Sequence, residues 1–319
     1  MTVKAMGAFS GGLDGLLASR LLIDQGIEVH LATFASPFFS CAPGREGASV
    51  LGAPWRSIDF TSEIVALVND PPSGFGSHLN PCVDCHAAMF RVLWATARAE
   101  GFQFIFSGEV LGQRPMSQNR GSLNRVKNLS ETEGVLLRPL SALLLEPTAV
   151  ERQGLVDRTR LLGLSGRSRK PQIAMAREMG LKRIPAPAGG CLLTDPGYSM
   201  RLRVLIERGL FTPESARAIR SGRMFDLGNA VALVGRSDHD NRALSERSTG
   251  TFLKLQDTPG PLGLLLGPRS QSNLLSLARL MALYTRGGQP VRAVTDDCEE
   301  ITANPFSTEE AEKIVIRLP

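Results

Sequence analysis

The 319-residue sequence predicts an α/β fold in which a parallel sheet is followed by a second, smaller α/β domain. Strand-like and helical segments alternate through the first half of the chain, an order typical of parallel sheets. Near residue 225 the pattern changes, and short strand-like runs follow one another more closely. The length also exceeds the ~100–200 residues that one domain usually takes, so two domains are expected.

The parallel sheet is predicted to open with a strand, a glycine-rich turn, a helix and a second strand. Residues 4–9 and 27–34 are strand-like runs, and 13–23 between them has helical periodicity. Two more short apolar runs, 56–60 and 103–106, are typical of buried strands. A helix over 85–100 is predicted between them because apolar residues recur at helical spacing from Phe90 to Ala97.

The second half of the chain is predicted to hold a helical connection and a separate domain. Helical patterns cover 171–179 and 200–208, and Thr212 is placed to cap a helix that starts at Pro213. The later elements are strands at 229–235, 251–255, 262–266 and 314–318, with a helix at 271–284. A boundary between 185 and 228 gives a first domain over 1–200, a helical linker over 201–224 and a C-terminal domain over 225–319.

The composition is that of a folded protein from a reducing compartment. Hydrophobic residues make up 43% and charged residues 21% of the chain, which excludes wholesale disorder. Five cysteines are an odd number, which argues against a disulfide scaffold. No apolar run reaches the ~18 residues needed to span a membrane, and the first nine residues do not read as a signal peptide. We therefore expect a cytoplasmic protein without membrane contact.

Positive charge is concentrated in one segment. The whole chain carries only +5, but residues 152–223 hold 15 Lys or Arg and 5 Asp or Glu, a net of +10. Such a segment attracts nucleic acid, because phosphate contacts dominate that affinity. Its densest part is a loop in which Arg167, Arg169 and Lys170 are expected to contact phosphate. The alternative is that these side chains are scattered over solvated helix faces.

The glycine-rich turn after the first strand is a candidate phosphate site. It reads Ser10-Gly11-Gly12-Leu13-Asp14-Gly15. Glycines let backbone N–H groups approach an anion, and the following helix adds a favourable dipole. Asp14 can hold a magnesium ion on the phosphates. The string resembles the SGGxDS motif of the PP-loop pyrophosphatase family, with Gly15 where that family usually has Ser or Thr.

This resemblance implies a Rossmann-like, HUP-type PP-loop domain that cleaves ATP between its α and β phosphates and adenylates a substrate. ATP and Mg²⁺ are the cofactors that it implies. The cofactor-binding residues expected on this basis are Phe9, Ser10, Gly11, Gly12, Asp14, Gly15, Phe34, Gly108 and Gln113. The last two belong to the segment 107–113, which follows a predicted strand and so lies at the carboxyl edge of the sheet, where such sheets bind ligands.

Three cysteines form a second candidate site. Cys82 and Cys85 are a C-x₂-C pair at the start of a predicted helix, a spacing that suits two thiolates on one metal or cluster. The helix N-terminus is expected to lower the pKa of these thiols. Cys191 follows a glycine-rich stretch that suits an exposed thiol. The pair alone could also be a redox pair or half of a four-ligand zinc site, although His86 and Cys41 lack a convincing spacing for the fourth ligand.

The phosphate turn and the three cysteines together resemble the iron–sulfur-dependent tRNA thiouridine synthetases. The resemblance covers residues 3–200, and segment 107–113 is similar to the SGExLGQ-like signature of the 4-thiouridine synthetase branch. It implies that Cys82, Cys85 and Cys191 hold a 4Fe-4S cluster beside the ATP site, with persulfide chemistry or zinc as alternatives. It also implies tRNA and a sulfur donor, either sulfide or a cysteine desulfurase, as partners, and a homodimer as a possible assembly.

Several residues are interpreted from their position alone. In segment 107–113, Gly108, Glu109, Gly112 and Gln113 are expected to contact ATP or uridine, and the alternative is a strand-to-helix turn with a capping glutamate. The residues that continue this segment and are expected to face RNA are Arg114, Ser117 and Gln118. Cys41 and Cys298 lack partner motifs and are expected to be small buried hydrophobes.

The C-terminal domain carries a motif of its own. The run Val234-Gly235-Arg236-Ser237-Asp238-His239-Asp240-Asn241, followed by a Pro259-Gly260-Pro261 turn, resembles the NFACT-R (DUF814) domain of RNA-associated proteins of ribosome quality control. The resemblance covers 225–319 and implies RNA binding, and the alternative is a small α/β domain that packs on the first. The RNA-contacting residues expected in this half of the chain are Arg201, Arg203 and Arg236.

Three functions are compatible with the sequence. The first is ATP-dependent thiolation of a tRNA uridine, in which the carbonyl oxygen attacks the α phosphate and sulfur then displaces AMP. Its catalytic residues are expected to be Cys191, Cys82, Cys85 and Asp14. The second is a PP-loop enzyme that adenylates a small molecule, which needs neither the basic segment nor an RNA-binding domain. The third is a non-catalytic RNA-binding module with a relict nucleotide fold, for which Gly15 is the best support.

Overall fold

The computed structural model describes residues 2–181, 185, 191–247 and 249–316. These residues divide into two compact units, Met1–Cys191 and Leu192–Pro319. Each unit has its own sheet and its own hydrophobic core, and each is described by itself.

The first unit is built on a parallel sheet. In the described residues its five strands are β1 (Lys4–Ala8), β2 (Glu28–Ala35), β3 (Trp55–Asp59), β4 (Phe104–Ser107) and β5 (Leu136–Leu137). All neighbouring strands are parallel, in the order β3-β2-β1-β4-β5. The four strands predicted from sequence are confirmed to within one residue at each end, and the predicted Rossmann-like α/β class is confirmed.

The strand order produces a crevice at the centre of this sheet. The chain runs from β1 outwards through β2 to β3, and then returns to the opposite side of β1 with β4. In open α/β sheets, ligands bind outside the carboxyl ends of the strands at the point where the strand order reverses. The turns that follow β1 and β4 therefore flank the expected ligand position.

The helices of the first unit are α1 (Leu13–Ile23), α2 (Ala42–Leu51), α3 (Thr61–Asn69), α4 (Cys82–Ala99), α5 (Arg120–Leu129), α6 (Ala149–Arg152) and α7 (Lys170–Glu178). The prediction for α1 is confirmed at both ends. Helix α4 starts three residues earlier than predicted, directly after Pro81, so both residues of the C-x₂-C pair lie in its first turn. The sequence patterns did not predict α2, α3, α5 or α6.

The core of the first unit forms between α1 and the sheet. Leu13, Leu16, Leu17 and Leu22 are at most 2% exposed, and the first three lie on one side of the helix. Strand β4 is buried along its whole length, as expected for a strand inside a parallel sheet. Burying each leucine contributes roughly 1.5–3 kcal/mol, so this packing fixes where α1 begins beside the end of β1.

The second unit has an antiparallel sheet. In the described residues its strands are β6 (Arg223–Asp226), β7 (Val231–Val234), β8 (Thr251–Leu255), β9 (Gly263–Leu266), β10 (Val291–Thr295) and β11 (Glu300–Ala303), in the order β11-β10-β8-β9-β7-β6. Its helices are α8 (Pro196–Glu207), α9 (Pro213–Ala218), α10 (Asp238–Ser245), α11 (Gln271–Leu283) and α12 (Thr308–Glu312). Buried leucines of α11 pack against the sheet, and together with apolar residues of the strands they form the core.

The expectation of a second α/β domain is confirmed, with one strand fewer at its end than predicted. Thr212 caps α9 by accepting a hydrogen bond from the Ser215 amide, as predicted. The strand predicted at 314–318 is reduced to an isolated bridge between Val315 and Phe225, and residues 317 and 318 lie outside the described residues. Within the described part of the chain, no helix has both the length and the apolar character required to cross a bilayer.

Candidate functional site

The turn after β1 has the geometry of an anion site. Gly11 has a φ of +80°, and a Cβ there would lie 2.0 Å from the carbonyl oxygen of Pro43, so only glycine fits. Gly12 precedes α1 in an extended conformation, and no side chain among the described residues caps the helix. The first-turn N–H groups are therefore left for an anionic ligand, and the helix dipole favours negative charge at this end.

Gly15 has a packing reason for departing from the PP-loop motif. A Cβ at Gly15 would lie 2.9 Å from Cδ2 of Phe9, whose ring is 3% exposed. On another side, the backbone of Gly108 approaches so closely that a Cβ on Gly108 would lie 2.5 Å from the Gly15 nitrogen. A serine at position 15 therefore does not fit unless the Phe9 ring moves.

The two phenylalanines expected to bind cofactor lie in the core. The Phe9 amide donates to the Ala32 carbonyl at 2.9 Å, and its carbonyl accepts a hydrogen bond from Thr33 Oγ1 at 2.6 Å. Phe34 is 6% exposed and packs edge-to-face on Phe60, with 5.2 Å between ring centroids. Both side chains support the carboxyl ends of β1 and β2 from within the core.

Asp14, in the first turn of α1, is held by a chain of side-chain amides. Gln113 Nε2 donates to Asp14 Oδ2 at 2.6 Å, and Gln172 Nε2 donates to Gln113 Oε1 at 3.0 Å. The other carboxylate oxygen, Asp14 Oδ1, is buried and has no hydrogen-bond partner among the described residues. A buried oxygen without a donor is costly, and a bound cation relieves that cost. The site therefore fits Mg²⁺, which prefers carboxylate oxygen ligands.

The segment 107–113 contacts both candidate sites. Gly108 packs on the backbone of Asp14 and Gly15 in the first turn of α1. Glu109 Oε1 lies 3.0 Å from Nδ1 of His86, which is the fifth residue of α4 and follows Cys85. The phosphate turn and the start of the cysteine helix therefore lie at the same carboxyl edge of the sheet.

Glu109 is the centre of a buried charged cluster. Its Oε2 accepts hydrogen bonds from Arg138 Nε at 2.7 Å and from Ser107 Oγ at 3.2 Å, and its Oε1 faces His86. Burial raises the pKa of Glu109, but the charge of Arg138 and the contact with His86 outweigh burial and hold the pKa at about 2. The carboxylate is thus fully engaged within the protein, so the expectation that it contacts ATP or uridine is not carried forward.

The three cysteines come close to one another at the start of α4. Cys85 is buried, whereas Cys82 and Cys191 are half-buried. Burial raises the pKa of Cys85 well above its usual value, and the nearby Cys191, Cys82 and Asp84 raise it further. Burial also raises the pKa of Cys82, against the opposing charge of Arg114. The expectation that the helix N-terminus lowers these pKa values is therefore wrong, because burial outweighs the dipole.

The thiols are not arranged as a formed metal centre. Across residues 2–181, 185, 191–247 and 249–316, no three or more His, Cys, Asp or Glu side chains are placed to hold a metal ion. Soft thiolate ligands suit iron or zinc chemically, but this geometry does not by itself provide the site.

The other two cysteines lie elsewhere. Cys41 is half-buried at the residue before α2. Cys298 is exposed, with a φ of +68°, in the turn between β10 and β11. The expectation of a buried residue is therefore wrong for Cys298, because the tight turn places it outside the core.

The basic loop before α7 pairs with the segment that follows β4. Ser165 forms an isolated bridge with Leu111, and the Gly166 amide donates to the Leu111 carbonyl at 2.8 Å. Arg169 is half-buried, with one terminal nitrogen 3.4 Å from the Pro185 carbonyl. Two adjoining segments of the first unit thus carry the cations expected to contact RNA, of which the exposed ones are Arg114, Arg167 and Lys170.

Three polar residues expected to face RNA are buried instead. Ser117 is 3% and Gln118 7% exposed. In the second unit, Arg201 is 7% exposed, and its terminal nitrogens donate to the Ile219 and Gly222 carbonyls at 2.6 and 3.0 Å. None of these three has surface available for RNA, so they are not retained as contacts. The other two arginines expected to contact RNA in the second unit, Arg203 and Arg236, are exposed.

The polar motif of the second unit joins two of its elements. Arg236 donates to Asp240 at 2.7 Å across the start of α10. Asn241 Oδ1 accepts a hydrogen bond from the Leu262 amide at 2.9 Å, and its Nδ2 lies 3.5 Å from the Gly260 carbonyl. Asn241 therefore fastens α10 to the Pro-Gly-Pro turn before β9, which is a structural reason for the spacing of the motif.

Two residues of the site had no signal in the sequence. Arg138 neutralises Glu109 but lies in no motif, and Gln172 lies in a helix that was predicted without any polar role. Their partners are 29 and 59 residues away in the chain. Only the packing of α7 and of the segment after β5 reveals them.

Comparison with solved structures gives partial overlaps. A Methanocaldococcus jannaschii protein described as a predicted subunit of tRNA methyltransferase aligns with a TM-score of 0.41 and 17% identity, over 66% of this chain and 90% of that chain. A 4-thiouridine synthetase in complex with RNA and ATP aligns with a TM-score of 0.43 and 21% identity, over 60% of this chain and 45% of that chain.

Comparison with known sequences is more specific. No protein-family model matches the chain. The tRNA-specific 2-thiouridylase MnmA of Mycobacterium tuberculosis (strain ATCC 25618 / H37Rv) is 29% identical over 166 residues, which is 46% of this chain and 44% of that protein. The MnmA of Roseiflexus sp. (strain RS-1) is 26% identical over 249 residues, covering 70% and 64%. The chain is thus homologous to tRNA-specific 2-thiouridylases, and it spans less than half the length of the mycobacterial relative.

Proposed function

We propose that this chain is an ATP-dependent enzyme that thiolates a uridine of tRNA. One observation carries the proposal: segment 107–113 packs on the phosphate turn through Gly108 and reaches the cysteine helix through Glu109 and His86. An anion site and a group of thiols then lie at one edge of the sheet. The homology to tRNA-specific 2-thiouridylases supports the same class of reaction.

ATP activates the uridine in the first step. Its phosphates would lie on the uncapped N–H groups at the start of α1, with Asp14 Oδ1 as a ligand for Mg²⁺. When bound, Mg²⁺ would neutralise charge on the phosphates. The carbonyl oxygen of uridine attacks the α phosphorus, pyrophosphate leaves, and the base becomes adenylated. AMP is then the leaving group, in place of an oxide ion that could not leave.

Sulfur replaces AMP in the second step. A cysteine desulfurase passes the outer sulfur of its own persulfide to the Cys191 thiol, so Cys191 becomes a persulfide and the desulfurase regains its free thiol. The terminal sulfur of the Cys191 persulfide attacks the activated carbon of the base, and AMP leaves. The thiol of Cys82 or Cys85 then attacks the Cys191 sulfur, releases the thiouridine and leaves a protein disulfide that a cellular thiol reduces.

The 4Fe-4S cluster implied by the sequence resemblance can be tested separately from the thiolation activity. Protein purified and reconstituted with iron and sulfide without oxygen should contain about four irons and show the visible absorbance of an iron–sulfur protein if the cluster is present. Protein that stays colourless but gains one sulfur atom on Cys191 after incubation with a desulfurase supports the persulfide route instead.

The experiment that tests the function is nucleoside mass spectrometry of tRNA from a strain that lacks the gene. We expect one thiouridine to disappear, and to return with the wild-type gene but not with Asp14→Ala or Cys191→Ser. The substrate would place the reaction in the cytoplasm. An unchanged thiouridine profile would refute the proposal and leave adenylation of a small molecule as the better explanation.

A further inference from the structure

Helix α7 reaches the phosphate site through a residue of its first turn, Gln172. The side chain is 1% exposed, and its Nε2 donates to Gln113 Oε1 at 3.0 Å. Gln113 in turn donates to Asp14 Oδ2 at 2.6 Å. Three elements, namely α1, the turn after β4, and α7, are therefore joined by two hydrogen bonds that end on the Asp14 carboxylate.

The direction of this chain is set by the Asp14 carboxylate, which can only accept. A side-chain amide has a donor end and an acceptor end. Because the Gln113 nitrogen donates to Asp14, the Gln113 oxygen faces away from the carboxylate, where Gln172 donates to it. Without Gln172, the Gln113 oxygen loses its donor, and the amide is held only by its bond to Asp14.

The arrangement leaves one carboxylate oxygen unused. Gln113 occupies Asp14 Oδ2, while Asp14 Oδ1 is buried and has no donor among the described residues. A carboxylate held through one oxygen presents the other in a fixed direction. Residues that hold a metal ligand in this way commonly change metal affinity when they are replaced.

We propose that Gln172 is a positioning residue of the magnesium–nucleotide site: through Gln113 it fixes the Asp14 carboxylate so that Oδ1 faces the cation of the bound nucleotide. The inference rests on the proposed function, in which Asp14 holds the Mg²⁺ of ATP. It assigns to α7 a role at the phosphate site that its sequence does not indicate.

Manganese binding tests the inference without any turnover. Mn²⁺ is titrated into the full chain with α,β-methylene-ATP, which cannot be cleaved at the reacting bond, and free Mn²⁺ is followed by electron paramagnetic resonance. Gln172→Met removes the amide at nearly constant volume, and we expect Mn²⁺ affinity to fall by about 10-fold to 100-fold. Affinity for the analogue without metal should be unchanged.

Two further variants separate positioning from loss of packing. Gln172→Glu keeps the shape but replaces the donor by an acceptor, so the Gln113 nitrogen is drawn away from Asp14, and the same loss of Mn²⁺ affinity is expected. Gln118→Met is the matched control, because Gln118 is also buried with an unpartnered Oε1 but is not part of this chain of hydrogen bonds. It should bind Mn²⁺ as the wild type does, with circular dichroism confirming that all three variants are folded.

The outcomes distinguish this inference from the function on which it rests. Normal Mn²⁺ affinity in both Gln172 variants, together with loss in Asp14→Asn, overturns the role of Gln172 and leaves the phosphate site intact. Normal affinity in Asp14→Asn as well overturns the phosphate-site assignment and the inference together. A loss of Mn²⁺ affinity in Gln118→Met as large as that in Gln172→Met also overturns the inference, because the effect is then not specific to the hydrogen-bonded chain.

Discussion

At the scale of single residues, Glu109 connects the stability of the first unit to the shape of its site. Its carboxylate lies between Arg138 and His86, and the carboxylate and the guanidinium are each 6% exposed. The contact with His86 fixes the first turn of α4, where Cys82 and Cys85 lie. The thiols therefore depend for their position on a residue that does not react.

Replacing Glu109 by Gln should destabilise the protein strongly. The neutral amide leaves Arg138 as a buried charge without a counter-charge, and breaking such a pair typically costs about 3–5 kcal/mol. Urea unfolding followed by circular dichroism measures the change. Glu309→Gln is the control, because Glu309 and its partner Lys313 are both highly exposed and little change is expected.

The same variant should change the response to acid. The pKa of Glu109 is lowered from 4.5 to about 2 in the folded chain, so the native carboxylate binds a proton less readily than the unfolded one. Its contribution to stability is complete above pH 4.5 and is lost as the pH falls towards about 2. The unfolding free energy of Glu109→Gln should therefore depend less on pH in this window than that of the wild type. If the unfolding free energies of the variant and the wild type depended equally on pH, the lowered pKa assigned to Glu109 would be contradicted.

At the scale of elements, helices and strands with a regular apolar spacing could be predicted from the sequence, and those without such a spacing could not. Helix α1 follows from its leucine spacing and the glycine turn before it, and both of its ends were predicted. Helix α2 escaped prediction because Pro43, Gly44 and Gly47 give it a weak intrinsic helix propensity. It forms because Ala48 and its glycines pack into the core beside the sheet.

The residues of the candidate site likewise divide into those that a local sequence pattern predicts and those that it does not. The phosphate turn and the C-x₂-C pair are contiguous in sequence, so a local pattern sufficed to find them. Gln172 and Arg138 act on partners far along the chain, so no local sequence pattern indicates their roles. The raised thiol pKa values were also unpredictable, because they depend on burial in the folded chain.

The loop before α7 carries a prediction of its own. Changing Arg167, Arg169 and Lys170 together to Gln should weaken tRNA binding at all sequences alike and reduce the salt dependence of log K by about 2–3, as expected for loss of three phosphate contacts. Filter binding at several salt concentrations measures both quantities. The control changes three arginines that are already paired with carboxylates, Arg269, Arg279 and Arg292. An equal loss of tRNA affinity in the control variant would show that binding depends on net charge and not on these three side chains.

At the scale of the whole molecule, each unit has a core drawn from its own residues. The first core lies around α1 and the parallel sheet, and the second around α11 and the antiparallel sheet. All of the groups proposed to bind nucleotide or carry sulfur belong to Met1–Cys191. A substitution that destabilises the first unit should therefore weaken binding of the ATP analogue more than one that destabilises the second unit.

Leu277→Ala and Leu17→Ala form a matched pair that tests this division. Both leucines are fully buried, one in α11 and one in α1, and each change should cost about 2–5 kcal/mol in its own unit. Calorimetric titration with the ATP analogue should detect near-normal binding in Leu277→Ala and weakened binding in Leu17→Ala. An equal loss of analogue binding in both variants would contradict the conclusion that the two units have separate cores.

The chain of amides that ends on Asp14 has a consequence for the order of events during synthesis. Its two hydrogen bonds join residues 99 and 59 positions apart, and its last member lies in α7. Proteins leave the ribosome N-terminus first, so Asp14 emerges long before Gln172. The carboxylate is thus held only after nearly all of the first unit has been made. A nascent chain therefore cannot complete this chain of hydrogen bonds until α7 has emerged.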